Sequence, residues 1–156
     1  MVRSGRRLSI DVGKVRIGIA ASDFHGILAS GVSTIARGQD LNTSIHDIKA
    51  VIAEIEPIEI YVGLPISMSG NHTDSTKDAI NFARILSGST DVEIRLIDER
   101  LSTTTATAAL RSSGRDSKSG RQIIDQIAAT VILEQALELE KSLGRAPGLS
   151  LGEIDG

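Results

Sequence analysis

The chain of 156 residues lacks cysteine and tryptophan and has only three aromatic residues, Phe24, Tyr61 and Phe82. Without cysteine, disulfide frameworks and thiolate zinc sites are excluded. With so few rings, a ligand held by stacking must rely on arginine side chains or on the backbone. Long apolar runs are also missing. The stretch 128–133 is interrupted by Thr130 and falls far short of the ~18 residues that span a bilayer. No apolar segment of signal-peptide type follows the basic N-terminus. We therefore expect a cytoplasmic protein with no membrane partner.

Charge is distributed unevenly along the chain, although the formal net charge is only −3. Residues 1–16 and 100–121 each carry a net charge of +4, whereas 17–99 carry −7 and 122–156 carry −4. Concentrated positive charge is either ordinary solvated charge or a surface for phosphate. We favour phosphate contact for the second basic stretch, because it surrounds a polar loop close in sequence to the candidate catalytic carboxylates described below. Its nucleic-acid-binding candidates are Arg100, Arg111, Arg115, Lys118 and Arg121.

Hydrophobic periodicity predicts one α/β domain over residues 1–143. Two-residue alternation indicates three consecutive antiparallel strands, and helical spacing begins at Leu41 and ends before Pro57. The predicted elements are strands at 8–12, 16–20 and 27–35, a helix at 41–55, a strand at 58–62, a helix at 73–86, a strand at 92–97, and helices at 102–114 and 122–142. This order predicts a mixed five-stranded sheet flanked by helices. Residues 112–120, which lack apolar side chains, are expected to form a mobile loop, and 144–156 a flexible tail.

Three carboxylates occupy unusual positions in this pattern. Asp11 lies at the end of an apolar central strand, Glu99 directly follows the fifth strand, and Asp125 lies on a small-residue face of the last helix. Each acid alone is more often a turn former or a salt-bridge partner. Together, at the ends of elements that a mixed sheet can bring together, they offer the hard oxygen ligands that Mg²⁺ or Mn²⁺ requires. Two such ions can bind both the attacking and the leaving oxygen of a phosphodiester.

Four motifs occur in an order that resembles a known family. The motifs are Asp11-Val12-Gly13 with Arg16-Ile17-Gly18-Ile19-Ala20, Val62-Gly63-Leu64-Pro65, Asp98-Glu99-Arg100-Leu101-Ser102-Thr103, and Asp125 with Ala128-Ala129 through Ile132-Leu133. Over residues 7–140 the chain resembles the YqgF family of bacterial ribonuclease H-like proteins. Members of this family are named as Holliday junction resolvases and as pre-16S rRNA nucleases. The resemblance implies a ribonuclease H-like fold.

The resemblance also implies a metal-dependent nuclease whose catalytic carboxylates, and metal ligands, are Asp11, Glu99 and Asp125. Asp11 would be shared by two Mg²⁺ or Mn²⁺ ions, and the other two acids would each hold one. The wider superfamily has an acid at the end of its fourth strand, where this chain has Gly63-Leu64-Pro65, so Glu99 must substitute for it. The first hairpin reads Gly13-Lys14-Val15-Arg16, where relatives commonly have Gly-Thr-Lys-Arg. We therefore expect Arg16, rather than Lys14, to contact nucleic acid.

The expected activity is hydrolysis of phosphodiester bonds in structured nucleic acid. The first expectation is 5′-end processing of pre-16S rRNA in ribosome biogenesis, and the alternative is Holliday junction resolution in DNA recombination. Two other classes of protein remain open: a phosphotransferase of the actin and sugar-kinase superfold, and a nucleic-acid-binding factor without catalysis. The sequence leaves open the choice of RNA or DNA, a monomer or a homodimer, and a part for His72 in proton transfer.

Overall fold

The structure, a computed structural model, describes residues 3–99 and 118–155. These residues form β1 (Arg7–Val12), β2 (Arg16–Ser22), β3 (Ala29–Ala36), α1 (Leu41–Ile55), β4 (Glu59–Leu64), α2 (Asp74–Ser87), β5 (Glu93–Asp98), α3 (Lys118–Leu143), β6 (Leu149–Ser150) and α4 (Leu151–Asp155). The helix predicted over 102–114 and the loop residues 112–117 lie outside the described residues. None of the helices described here is long and apolar enough to cross a membrane.

The strands form a mixed sheet in the order β3-β2-β1-β4-β5-β6. β1 pairs antiparallel with β2, which pairs antiparallel with β3, whereas β1, β4 and β5 run parallel to one another. The predicted mixed sheet is confirmed, but within the described residues it has six strands rather than five. Because β1, β4 and β5 are parallel, their carboxyl ends meet at one edge, and the acids predicted at the ends of β1 and β5 lie there.

Local signals explain where the first two helices begin and end. The Asp40 side chain caps α1, and the helix closes at Glu56 in a left-handed conformation (φ 52°) just before Pro57, which cannot continue it. Thr73 caps α2 and exchanges hydrogen bonds with Thr76 in a capping box. Such caps satisfy backbone N–H groups that have no partner within the helix. The predicted bounds of both helices are therefore matched to within a residue.

The two faces of the sheet differ in the size of their side chains. Leu8 and Ile10 of β1 belong to a large aliphatic core that packs against α1 and α2. Ser9, between them, points to the opposite face, where its hydroxyl donates to the carbonyl oxygen of Ala129 in α3 at 2.6 Å. The core on that side is smaller and includes Tyr61 and Ile132. Helix α3 therefore covers one face of the sheet at short range.

Helix α3 begins earlier in the chain than the sequence predicts. The helix begins at Lys118, so residues 118–121, expected before its start, are helical. Extending an existing helix adds one hydrogen bond per residue, which offsets the modest cost of Gly120.

In place of the flexible tail expected over 144–156, β6 adds a strand to the edge of β5. The Arg95 guanidinium donates to the carbonyl oxygens of Pro147 and Gly148 at 2.9 and 2.7 Å. Leu151 and Ile154 pack against the large core. A two-residue strand is too short for any periodicity, so only tertiary packing reveals it.

A buried ionic network holds the C-terminal half of α3 to the start of the sheet. Arg7 is fully buried, and its Nη2 donates to Glu140 Oε2 at 2.9 Å. Arg3 Nη2 donates to Glu140 Oε1 at 2.6 Å and to Glu59 Oε1 at 2.8 Å, and the Tyr61 hydroxyl also donates to Glu59. Burial by itself raises the pKa of Glu140, but hydrogen bonds from Arg3 and the charge of Arg7 hold that pKa below its ordinary range. Two cations and two anions thus compensate one another, with Arg7, Glu59 and Glu140 buried and Arg3 partly exposed.

A second ionic contact fixes the hairpin between β1 and β2. Arg37 Nη1 donates to the carbonyl oxygen of Gly13 at 3.0 Å, and its two terminal nitrogens donate to the two oxygens of Asp78 in α2 at 2.6 and 2.7 Å. The backbone N–H of Arg37 donates to the carbonyl of Val15. The hydrogen bond from Arg37 holds the pKa of Asp78 below its ordinary range. Arg37 therefore ties the hairpin to α2.

The buried network generates a stability prediction for Glu140. Changing Glu140 to Gln leaves the buried Arg7 without its compensating charge, and such losses cost about 3 kcal/mol or more. The melting temperature should fall by roughly 6–12 °C. The matched control is Glu138→Gln, two residues away on the exposed side of α3, which should change it by less than about 2 °C. Equal shifts in the two variants would contradict the network's role.

The Arg37–Asp78 contact generates a prediction about pH. Because the folded protein lowers the pKa of Asp78, the contact stabilises the fold above the ordinary pKa of about 3.9 and is lost as pH falls through the folded value. Asp78→Asn should therefore cost about 1 kcal/mol at pH 7, and the difference from the parent should vanish near pH 2. Urea titrations across this range measure it. The control is Asp47→Asn at an exposed position of α1, which should change the stability at pH 7 by less than about 0.5 kcal/mol.

Candidate functional site

The carboxyl edge of the parallel strands carries two of the three predicted carboxylates. Asp11 is the next-to-last residue of β1, and Glu99 immediately follows β5. Between β1 and β5 lies β4, which approaches this edge with Gly63 and ends at Leu64. At Gly63, the strand that separates the two acids carries no side chain.

The pairing of Asp11 shows which face its side chain takes. Asp11 stands opposite Gly18 in the antiparallel β1–β2 ladder, and directly opposite residues point to the same face of a sheet. A Cβ added to Gly18 would overlap the carbonyl oxygen of Asp125 and lie 3.3 Å from the Asp125 Cβ. The missing side chain of Gly18 therefore lets α3 touch the sheet, and it brings Asp125 to the face that Asp11 occupies.

The missing side chain of Gly63 leaves space for the carboxylate of Glu99. A Cβ added to Gly63 would lie 3.1 Å from both Cδ and Oε1 of Glu99, and 2.5 Å from Cδ1 of Ile132 in α3. The Glu99 carboxylate therefore lies over β4, on the face covered by α3. Ser9 and Tyr61 are paired in the parallel β1–β4 ladder, and Asp11 and Gly63 each follow two residues later. Glu99 and Asp11 thus reach the same part of the α3 face.

One ion pair joins β2 to α3 within this group. Arg16, at the start of β2, donates from Nε to Oδ2 of Asp125 at 2.6 Å. The two side chains are 30% and 18% exposed, so solvent reaches them only in part. The sequence suggested Arg16 as a phosphate contact, and the structure places it on a carboxylate at the centre of the candidate site. Its positive charge offsets one of the clustered negative charges.

The carboxylate oxygens of this cluster suit a hard divalent cation, but Arg16 already contacts one of them. Carboxylate oxygens from three separate elements are the ligands that Mg²⁺ and Mn²⁺ take. Within 3–99 and 118–155, however, no group of three His, Cys, Asp or Glu side chains is positioned as it stands to hold a metal ion. Arg16 occupies one oxygen of Asp125, so a metal ion held by all three acids would either use the other oxygen of Asp125 or compete with Arg16 for this one.

The remaining sequence candidates are distributed as follows. The backbone of Lys118 and Arg121 lies in the first turns of α3. Arg100, Arg111 and Arg115 lie outside the described residues. Asp98 ends β5, and its carbonyl oxygen accepts from Gln135 Nε2 at 3.0 Å. His72 forms an isolated bridge with Ile66 in the loop after β4, where its side chain is exposed.

Sequence reasoning missed the contributions of Gly18, Gly63 and Arg37. Both glycines stand inside strands, where an isolated glycine is a signal of close backbone approach, so this signal was available. For Arg37 there was none, because its partner Asp78 is 41 residues away and on another element. Only the folded chain shows that Arg37 holds the hairpin that carries Arg16.

Two solved structures of RuvC from Thermus thermophilus share this architecture. The "Thermus thermophilus RuvC structure" aligns with a TM-score of 0.52 and 13% identity, covering 92% of this chain and 99% of that one. "T. thermophilus RuvC in complex with Holliday junction substrate" aligns with a TM-score of 0.61 and 12% identity at the same coverage. At these identities the likeness establishes the fold, which is ribonuclease H-like.

Sequence relatives are far closer. A protein of Clavibacter michiganensis subsp. michiganensis called "Putative pre-16S rRNA nuclease" is 49% identical over 147 residues, or 94% of this chain and 91% of the relative. The protein of that name from Streptomyces coelicolor is 47% identical over 148 residues, or 94% and 88% of the two chains. The family model described as "RuvX: Holliday junction resolvase" matches residues 5–139. The chain therefore belongs to the RuvX family, the YqgF family that its motifs resembled.

Proposed function

We propose that this protein is a nuclease that hydrolyses phosphodiester bonds in structured nucleic acid at the edge where Asp11, Glu99 and Asp125 meet. The observation that carries the proposal is the approach of all three acids to one face of the sheet, over Gly18 and Gly63. Like charges brought together are costly unless a cation compensates them. The nuclease names of the relatives support the same reading.

We assign Asp11, Glu99 and Asp125 to hold Mg²⁺ or Mn²⁺. Such an ion supplies activation of water and neutralisation of the phosphate charge. The chain's own part is to place three carboxylates on rigid elements and to provide cations nearby. Arg16, once released from Asp125, becomes available to a phosphate oxygen within reach of the same edge. Arg100, next to Glu99 in the sequence, is the second candidate for this contact.

The proposed substrate is the 5′ end of pre-16S rRNA, and the cellular process is ribosome biogenesis in the cytoplasm. The names of the relatives favour this substrate. The alternative is a Holliday junction, which the family description and the substrate of the Thermus thermophilus RuvC complex favour. A junction resolvase cuts two strands and so calls for a symmetric dimer, whereas an rRNA-processing nuclease does not need one. Oligomeric state is therefore part of the same test.

Two other classes of protein account less well for these residues. A phosphotransferase of the actin and sugar-kinase superfold closes two related domains around ATP, whereas the described residues form one sheet with its helices. A binding factor without catalysis uses basic residues but leaves the clustered carboxylates without a task. Binding of ATP would favour the first rival, and full activity in cells without the carboxylates would favour the second.

The direct test is cleavage of purified pre-16S rRNA precursor and of a four-way DNA junction, side by side, with Mg²⁺, with Mn²⁺ and with EDTA. We expect cleavage of the rRNA precursor that requires the divalent ion. Cleavage of the junction alone would replace rRNA processing by junction resolution. If neither is cut under any of these conditions, the nuclease proposal fails.

The three carboxylates generate a matched set of variants for that assay. Asp11→Asn, Glu99→Gln and Asp125→Asn each remove a charged ligand with almost no change in volume. Each should lower turnover by at least about 100-fold, which corresponds to a loss of about 3 kcal/mol of transition-state stabilisation. Circular dichroism should show that each variant remains folded.

The control for this set is Asp98→Asn. Ile97 is buried on the α3 side with Tyr61, and successive residues of a strand point to opposite faces. Asp98 therefore points to the face of α1 and α2, in register with Leu64. Its variant should retain most of the activity. Full activity in any one of the three test variants would remove that residue from the site.

The Arg16–Asp125 ion pair generates a prediction about metal affinity that does not depend on turnover. If Asp125 holds the ion, Arg16→Gln removes a competitor, and the affinity for Mn²⁺ measured by calorimetry should rise by up to ~10-fold, equivalent to about 1.4 kcal/mol. Lys14→Gln removes the same charge from an exposed position of the hairpin and should change the affinity much less. Equal effects of the two variants would show that only overall charge matters, and the Asp125 assignment would lose this support.

A further inference from the structure

The turn between β2 and β3 presents large apolar side chains to solvent. Phe24, Ile27 and Leu28 are 58%, 75% and 68% exposed. They follow one another within five residues at the end of the sheet opposite to the β1–β2 hairpin. Contiguous exposed apolar surface is uncommon in monomeric proteins and marks sites of interaction.

The turn is held in this conformation by its own hydrogen bonds. The Asp23 carboxylate accepts from the backbone N–H groups of Ile27 and Leu28 at 2.7 and 3.0 Å, and these bonds lower the pKa of Asp23. The backbone N–H of Gly5 donates to the carbonyl oxygen of Phe24 at 2.6 Å. The apolar side chains are thus displayed on a bonded turn instead of folding back onto the core.

A groove separates this turn from the C-terminal half of α3. Its volume is about 440 Å³, and it is lined by His25, Gly26 and Ile27 on one side and by Glu134, Leu137, Glu138 and Lys141 on the other. Leu137 is nearly buried and forms an apolar floor. Together, the turn and groove offer two apolar anchor points beside polar walls, the pattern of a surface that receives an amphipathic segment.

The charges around the groove indicate the chemistry of the occupant. Glu134 and Glu138 are exposed and one turn apart, and the last turn of α3 adds the negative end of the helix dipole. The groove is lined by two acids, Glu134 and Glu138, and one lysine, Lys141, so with His25 neutral its lining carries a net charge of −1. Nucleic acid would be repelled here, whereas lysine or arginine side chains would be attracted.

This surface is separate from the candidate active site. Asp125 and Leu137 lie twelve residues apart on one helix, which corresponds to about 18 Å along its axis. We propose that the groove between the β2–β3 turn and α3 docks a cationic amphipathic segment of a partner protein. Apolar side chains of that segment contact Ile27, Leu28 and Leu137, and its basic side chains pair with Glu134 and Glu138. This assignment is independent of the nuclease proposal.

The test uses the whole chain and a fluorescein-labelled amphipathic helical peptide of leucine and lysine, followed by fluorescence anisotropy. Ile27→Ser with Leu28→Ser removes the apolar anchors, and Glu134→Gln with Glu138→Gln removes the acidic wall. Each double variant should weaken binding by at least ~10-fold, as loss of an interface anchor does. A peptide of leucine and glutamate with the same pattern should not bind.

The control variant is Asp47→Asn with Glu54→Gln, which removes two exposed acids from α1 and should change binding by less than about two-fold. An equal loss in this control would reduce the binding to overall charge and overturn the proposal. Absence of binding to the leucine–lysine peptide would also overturn it. Competition by a single-stranded oligonucleotide would overturn the proposal as well, because the occupant would then be nucleic acid. A dimer seen in sedimentation and dissociated by Ile27→Ser with Leu28→Ser would overturn it too, because the occupant would then be a second copy of this chain. Cleavage assays remain unaffected by these variants, so failure here leaves the nuclease proposal intact.

Discussion

The close approach of helix α3 to the sheet is the constraint on which the rest of the structure depends. At Gly18 and Gly63 the strands carry no side chain, and a Cβ at either position would collide with Asp125 or with Ile132. Because the helix descends into this space, Asp125 reaches the face on which Asp11 lies, and Glu99 can lie over β4. A larger side chain at Gly18 would meet the backbone of Asp125 and push the helix away from the sheet, whereas one at Gly63 would displace the side chains of Ile132 and Glu99.

Helix α3 is held differently at its two ends. Near the candidate site the contact is backbone against backbone, through small residues and the hydrogen bond from Ser9 to the carbonyl of Ala129. Near its C-terminal end the buried ionic network of Arg7 and Glu140 fixes it to the start of the sheet. Steric fit thus sets the height of the helix, and directional ionic contacts resist its displacement. This combination suits a site that requires three carboxylates on independent elements to keep their relative positions.

The protein has two distinct surfaces at opposite ends of the sheet, one mainly charged and the other partly apolar. The carboxyl edge gathers acids with Arg16 and the Arg37-anchored hairpin, and we propose that it binds a cation and a phosphate. The other end combines exposed apolar side chains with the acidic wall of Glu134 and Glu138, which suits a basic polypeptide. Their separation along α3 is compatible with the proposed protein partner and the proposed nucleic acid substrate binding to one molecule at the same time.

The sequence by itself determined the elements and the identity of the candidate acids. Two-residue alternation, helical spacing and the proline after α1 locate most of the elements described, because these signals depend on local geometry alone. The tertiary structure decided what depends on contacts between distant residues. It added β6, paired Arg16 with Asp125, and made Gly18 and Gly63 the points of contact with α3. Periodicity assigns a residue to a face, but the distance between two packed elements follows only from which side chains are absent between them.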